Sequence, residues 1–205
     1  MKSCIYWMRQ SLNEDCLRPD LVVYHDANGW FKTDQGFREY QANALIAAGV
    51  AGTSAENWFV PDLEPSEAGN SSVGEWDYYM CGATMGVFSK RAIEILKPCF
   101  EKRFTVLPVM LSGIAYFTLR CEERIDCLDQ SESVLEWFEK NVTIMSVKKL
   151  VFRKESFSDS GCCIFAIPEL PCELFCNEST KALIETSNLQ GFELQLAEEW
   201  DDVIK

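Results

Sequence analysis

Few residues of this sequence have the type and spacing for chemistry. His25 is the only histidine and stands beside Asp26, as a general base stands beside the carboxylate that orients it. Neighbouring side chains in a hairpin point apart, and Asn28-Gly29 directly after them favours a turn with positive φ, so the pair is read as turn chemistry. Ten cysteines (Cys4, Cys16, Cys81, Cys99, Cys121, Cys127, Cys162, Cys163, Cys172 and Cys176) raise metal and thiol chemistry. No two have the C-x2-C spacing of zinc ribbons, and adjacent Cys162 and Cys163 in a strand would point to opposite faces. They read as buried free thiols behaving as small hydrophobes. The carboxylate pairs Glu122-Glu123 and Asp201-Asp202 share only their type with glycosidase or metal ligands, since a hard cation needs several carboxylates converging. G-x-S-x-G, Walker A and G-x-G-x-x-G are all missing, so acyl transfer and nucleotide binding have no motif support. The reading therefore assigns no catalytic residue, no cofactor-binding residue and no metal ligand.

Composition narrows the class further. The chain has 205 residues, of which 47% are hydrophobic and 25% charged, which excludes a disordered or fibrous protein. Acids outnumber bases 32 to 19, for a formal charge of −13, and such a surface argues against direct nucleic-acid binding. The N-terminal apolar run breaks at Arg9, and no stretch approaches the roughly 18 apolar residues a membrane span requires. A cytoplasmic protein with no membrane contact is expected.

Any function must then rest on how the elements present a surface. Two regions are expected, residues 1–75 and residues 76–205. The first holds a hairpin over Leu21–Phe31, a helix over Phe37–Ala48 ended by Gly49, and a polar connector from Pro61 to Gly74. The second contains a weak internal repeat. Val87-Phe88-Ser89 ends an apolar run, a helical pattern follows, and Phe104 opens a strand. Phe175-Cys176-Asn177, a second helical pattern and Phe192 repeat this 88 positions later. Ser89 and Asn177 are both good N-caps, and Ile95-Leu96 and Leu183-Ile184 follow them at equal offsets. Pro98 should end or kink the first helix near Lys97, whereas Asn188 and Gly191 turn the chain after the second. Between the copies, strands are expected at Ala115–Leu119, Val142–Phe152 and Cys163–Ile167. Alternation at Phe192, Leu194 and Leu196 marks a last strand with one wet face. The fold class is α+β: mixed and antiparallel sheets with a few short helices, two strand–helix–strand units sharing a sheet region.

Two stretches mix charge with features of an interface. Glu75-Trp76-Asp77 places acids around an aromatic just before Tyr78, and Glu122, Glu123, Asp126 and Asp129 form an acidic stretch after the strand through Leu119. Aromatics are enriched in interface cores, and acids steer basic partners. The competing readings are a strand entering the core and a solvated loop.

The block Val87-Phe88-Ser89, helix, Phe104 to Val109 resembles a recurrent block of bacterial immunity proteins of polymorphic toxin systems. So do Tyr116 to Leu119 with Ile125 to Ser131, and Ile164 to Ile167 through Leu174 to Leu194. The resemblance spans roughly residues 76–200. Cys176 and Asn177 depart from the Ser and acid more usual there, and the Cys162-Cys163 pair is peculiar to this chain. The resemblance implies a bacterial protein that is no enzyme and binds and neutralises a cognate protein toxin, for instance a basic nuclease, with no cofactor. Glu75, Trp76, Asp77, Glu122, Glu123, Asp126 and Asp129 would be the contact residues. Monomer and homodimer both stay open. The alternatives are a metal- or thiol-dependent enzyme and a structural or adaptor protein of a phage or secretion apparatus.

Overall fold

The computed structural model describes residues 4–10, 19–20, 46–47, 49, 52–65, 76–81, 85–139, 143–153, 161 and 163–199. The expected hairpin at 21–31 and most of the helix at 37–48 lie outside them, although Ile46 and Ala47 are helical and Gly49 has φ +62°. The fold is α+β with open sheets, as the alternating patterns required.

The repeat is real, and each copy is a split crossover. In the first copy β5 (Met85–Phe88), α1 (Lys90–Phe100) and β6 (Phe104–Leu111) follow one another. β7 (Ile114–Cys121) returns through a two-residue turn at Ser112 and Gly113, both at positive φ as that turn demands. It runs antiparallel between β5 and β6, so those two strands are parallel to each other. β4 (Tyr78–Cys81) pairs outside β5. In the second copy β11 (Phe175–Asn177), α2 (Glu178–Thr186) and β12 (Phe192–Leu196) repeat the path, with β10 (Ile164–Phe165) outside β11. Here the central antiparallel strand is β1 (Ile5–Gln10), from the other end of the sequence.

The two registers coincide. Phe117 pairs with Phe88 and Leu119 with Val106, and in the second copy Tyr6 pairs with Cys176 and Met8 with Leu194. Each β5–α1–β6 position maps 88 residues on, and each β1 position maps 111 residues on into β7. The second unit is therefore a circular permutation of the first. The expectation of one shared sheet is corrected accordingly: with β2 (Pro19–Asp20) and β3 (Asp62–Pro65), the copies lie in separate sheets of order β2-β3-β6-β7-β5-β4 and β10-β11-β1-β12. The sheets and helices meet in a common core of Met8, Phe88, Leu96, Phe104, Leu119 and Ile184.

The caps work as the sequence implies. Ser89 Oγ accepts from the Ala92 N–H at 3.0 Å and Asn177 Oδ1 from the Thr180 N–H at 3.1 Å. α1 does not end near Lys97, however. Pro98 lies on the exposed side of the last turn, where it removes a single amide, while Cys99 and Phe100 beyond it are buried. Burial of two such side chains, about 1.5–3 kcal/mol each, outweighs that loss. Asn188 and Gly191 both take positive φ after α2, as expected.

Three further differences have physical reasons. Asp62–Pro65, inside the expected connector, is strand β3, parallel to β6 and antiparallel to β2 (Pro19–Asp20). Its one apolar anchor, Leu63, is fully buried, and a single anchor in polar surroundings leaves no periodic pattern. β9 (Thr143–Lys149) falls within an expected strand, but its partner β8 (Val134–Glu139) was not expected. Three register shifts in that two-stranded ribbon break the alternation that would reveal it. The last strand, β12, is antiparallel and at a sheet edge among the described residues, but it has no clearly wet face: all five residues are half-buried, with Gln195 tied to Arg9 and Glu199 on the side away from the core.

Gly191 shows how tightly the units fit. It has φ +91°, and a Cβ there would stand 2.3 Å from the Tyr78 carbonyl oxygen. Gly113 has a similar φ of +75° with nothing near its missing Cβ. Gly191→Ala should cost about 2–4 kcal/mol and Gly113→Ala only about 1–2 in urea unfolding, the difference measuring the contact between units.

Candidate protein-binding face

The acidic stretch after β7 is held at both ends. Arg120 is buried and donates through Nε to Glu122 at 2.9 Å, through Nη1 to the Ile46 carbonyl at 2.9 Å and Thr53 Oγ1 at 3.0 Å, and through Nη2 to the Thr53 carbonyl at 3.0 Å. It thereby ties residues 46–53 to the end of β7. Gly49 passes so close that a Cβ would lie 1.8 Å from the Cys121 carbonyl oxygen. The Glu122 N–H donates to the Arg103 carbonyl at 2.8 Å, and the Ile125 N–H donates to Ala166 of the second unit at 3.0 Å. Arg153 closes the far end, bonding Asp126 Oδ1 and its carbonyl at 2.7 Å each and the Leu128 carbonyl at 2.9 Å.

Each nominated acid can be placed on this frame. Glu122 is half exposed and shared with Arg120. Asp126 is exposed beside Arg153. Asp129 accepts from Ser131 Oγ at 2.6 Å and from the Ser131 and Glu132 N–H groups, bonds that hold its carboxyl below the usual range. Glu123 is exposed with no side-chain partner among the described residues. Glu122, Glu123, Asp126 and Asp129 thus do lie on one pinned segment.

The Trp76–Asp77 stretch is a different place with a different job. Trp76 lines up with the start of β7, where its carbonyl accepts from the Tyr116 hydroxyl at 3.3 Å, roughly 20 Å along the strand from Glu122. Asp77 is only 7% exposed, so its carboxylate lies beneath the surface instead of on a contact face. It accepts from Ser89 Oγ at 2.7 Å, Arg91 Nη1 at 2.8 Å and the Gln190 N–H at 3.0 Å. One carboxylate therefore joins β4, the cap of α1 and the loop after α2. Glu75 lies outside the described residues. Sequence reasoning missed the arginines that do the holding, Arg91, Arg120 and Arg153. Arg120, at the end of an apolar strand and two residues before an acid, was the visible hint.

Four of the thiols are held away from the reactive thiolate form. Burial pushes Cys127 up to about 12, and it raises Cys121, Cys172 and Cys176 as well. Among the described residues no three His, Cys, Asp or Glu side chains are grouped to hold a metal ion, and no helix is long and apolar enough to cross a membrane. A scan of protein-family models returns no match to this chain, and neither does a search of curated proteins. What fold and surface define is an α+β chain with a rigid, partly exposed acidic segment.

Two measurements check this account. Asp77→Ala should lower stability by about 3 kcal/mol in urea, because it strands three donors at once, while Asp77→Asn retains acceptors and costs less. Alkylation of the native protein at neutral pH should leave Cys127 and Cys176 unmodified, with label entering only after denaturant.

Proposed function

We propose that this chain is an immunity protein that binds a cognate bacterial protein toxin and neutralises it by stoichiometric occlusion. The observation that carries the reading is the pinned segment 122–129, which offers the exposed carboxylates of Glu123 and Asp126 without ordering cost. Binding surfaces held in place before contact retain more of their interaction energy. A charge of −13 would draw in a basic partner such as a nuclease, with association speeded by roughly 10–1,000-fold over a neutral surface. The resemblance of residues 76–200 to immunity proteins supports the same conclusion. The raised thiols weigh against the thiol-dependent alternative.

Co-expression with the product of the adjacent gene tests it. The neighbour should arrest growth alone and fail to do so when this chain is present. Glu123→Lys should slow association about tenfold at low salt, lose that effect at high salt and leave the unfolding midpoint unchanged, since no internal bond is removed. A harmless neighbour, or one that stays toxic beside this chain, would refute the reading.

A further inference from the structure

Each unit ends on an outer strand, β6 in the first and β12 in the second, and backbone parity shows what that outer side offers. The Met8 N–H donates to the Leu174 carbonyl at 2.9 Å, so Met8 turns its backbone groups away from β12. Its register partner Leu194 must then turn its own N–H and C=O away from β1, as must Phe192, with the N–H of Leu196 in the same phase. No described residue bonds these five groups. In the first unit the same side is closed by the chain only from Pro108 onward, while Phe104 and Val106, the matches of Phe192 and Leu194, have no outward bond among the described residues either. Pro108, which has no N–H, lends its carbonyl to Trp58 Nε1 at 2.8 Å. The N–H groups of Met110 and Ser112, next in phase, donate to the carbonyls of Pro61 and Leu63 at 2.9 Å each, and β3 runs alongside. That ladder engages β6 beyond the length of β12, because the second unit turns into a 3₁₀ segment at Ala197–Glu199. The first unit thus shows this side accepting an added strand past the stretch that matches β12, and among the described residues nothing pairs with the outer side of Phe192–Leu196.

We propose that the outer edge of β12, Phe192–Leu196, receives one extended segment of a partner protein that alternates apolar and basic residues. The idea rests on the reading that the chain works by binding another protein, and it names how that partner is held. Phe192, Leu194 and Leu196 pack at the rim of the common core, so an added strand would lay apolar side chains beside them. Glu193 lies on the opposite face, in register with Arg9 of β1, whose guanidinium bonds Gln195 and stands over Trp7, and exposed Glu198 and Glu199 follow at the end. Basic residues on that face of the incoming segment complement these acids. A second copy of the chain is disfavoured there, since it would set the same acids against each other.

The test uses the full chain and a labelled peptide alternating valine and lysine. A valine–glutamate peptide and a valine–lysine peptide methylated at alternate amides serve as controls. Only the unmodified valine–lysine peptide should bind, with slower amide exchange at Phe192, Leu194 and Leu196 and no change in β6. Leu194→Pro removes the central outward donor and should abolish binding. Glu193→Lys, which leaves the backbone intact, should weaken it about tenfold. Equal binding of the methylated peptide, insensitivity to both variants, slow exchange of these amides before peptide is added, or a dimer formed through β12 would overturn the proposal. If the chain protects cells while the peptide does not bind, strand addition fails and the inhibitor reading stands; peptide binding without protection gives the reverse.

Discussion

The structure depends on filling a gap one strand wide. In each unit a helix carries the chain between two parallel strands that do not touch, and a single antiparallel strand must lie between them to satisfy both inner edges. The first unit fills the gap locally, with β7 delivered by the Ser112–Gly113 turn. The second has no such neighbour in sequence and takes β1. That strand buries Tyr6 and Met8 in the common core, while Ile5 joins Phe165 and Phe175 in a second cluster. Without β1 the strands β11 and β12 would share no hydrogen bond, so β12 joins the second sheet only because the N-terminal strand is in place.

The contacts between units follow a rough two-fold reciprocity. In the first unit the Ser89 N–H donates to the Asp77 carbonyl, and in the second the Asn177 N–H donates to the Cys163 carbonyl, which makes Asp77 and Cys163 equivalent positions. The loop after α2 meets Asp77 through Gln190, and the loop after α1 meets Cys163 through Arg103, whose Nη1 lies 3.8 Å from the Cys163 sulfur. The helices pack on each other between these loops. Such exchange of like contacts is the geometry of an isologous dimer, here within one chain. The chemistry at the two positions has diverged: a carboxylate braces the first, while Thr180 Oγ1 and Asn177 Oδ1 hold the Cys163 N–H at the second.

Much of this was legible because it is local. N-caps, positive-φ positions and an apolar stripe are properties of a few consecutive residues, so Ser89, Asn177, Asn188 and Gly191 announced themselves. The offset of 88 residues revealed two copies but not their separation into two sheets. That separation is decided by β1, whose pairing partners lie some 170 residues away and leave no periodic trace. Leu63 and the β8–β9 ribbon escaped for the related reason that one anchor, or a bulged ladder, carries no period. Among the contact residues, acidity identified the segment 122–129 yet misplaced Asp77. Sequence shows that a carboxylate is present, while its surroundings decide whether it faces water or an arginine.

Those arginines also explain where the net charge appears. Arg91, Arg120 and Arg153 each meet one carboxylate, but they spend more of their donors on backbone carbonyls: Ser187 and Asn188, Ile46 and Thr53, Asp126 and Leu128. A guanidinium bonded to carbonyls satisfies loop and helix ends that have no ladder of their own, and each of the three is shown in contact with a single carboxylate. With only 19 basic residues against 32 acids, using arginines to lace loops together leaves carboxylates uncompensated on the outer surface. Stability and surface potential are therefore coupled: the arginines that hold the segment after β7 spend their donors on carbonyls, while the exposed Glu123 carboxylate has no ion pair among the described residues. A surface both fixed in shape and unbalanced in charge suits recognition of a basic macromolecule, because neither ordering nor counter-charge has to be displaced on contact.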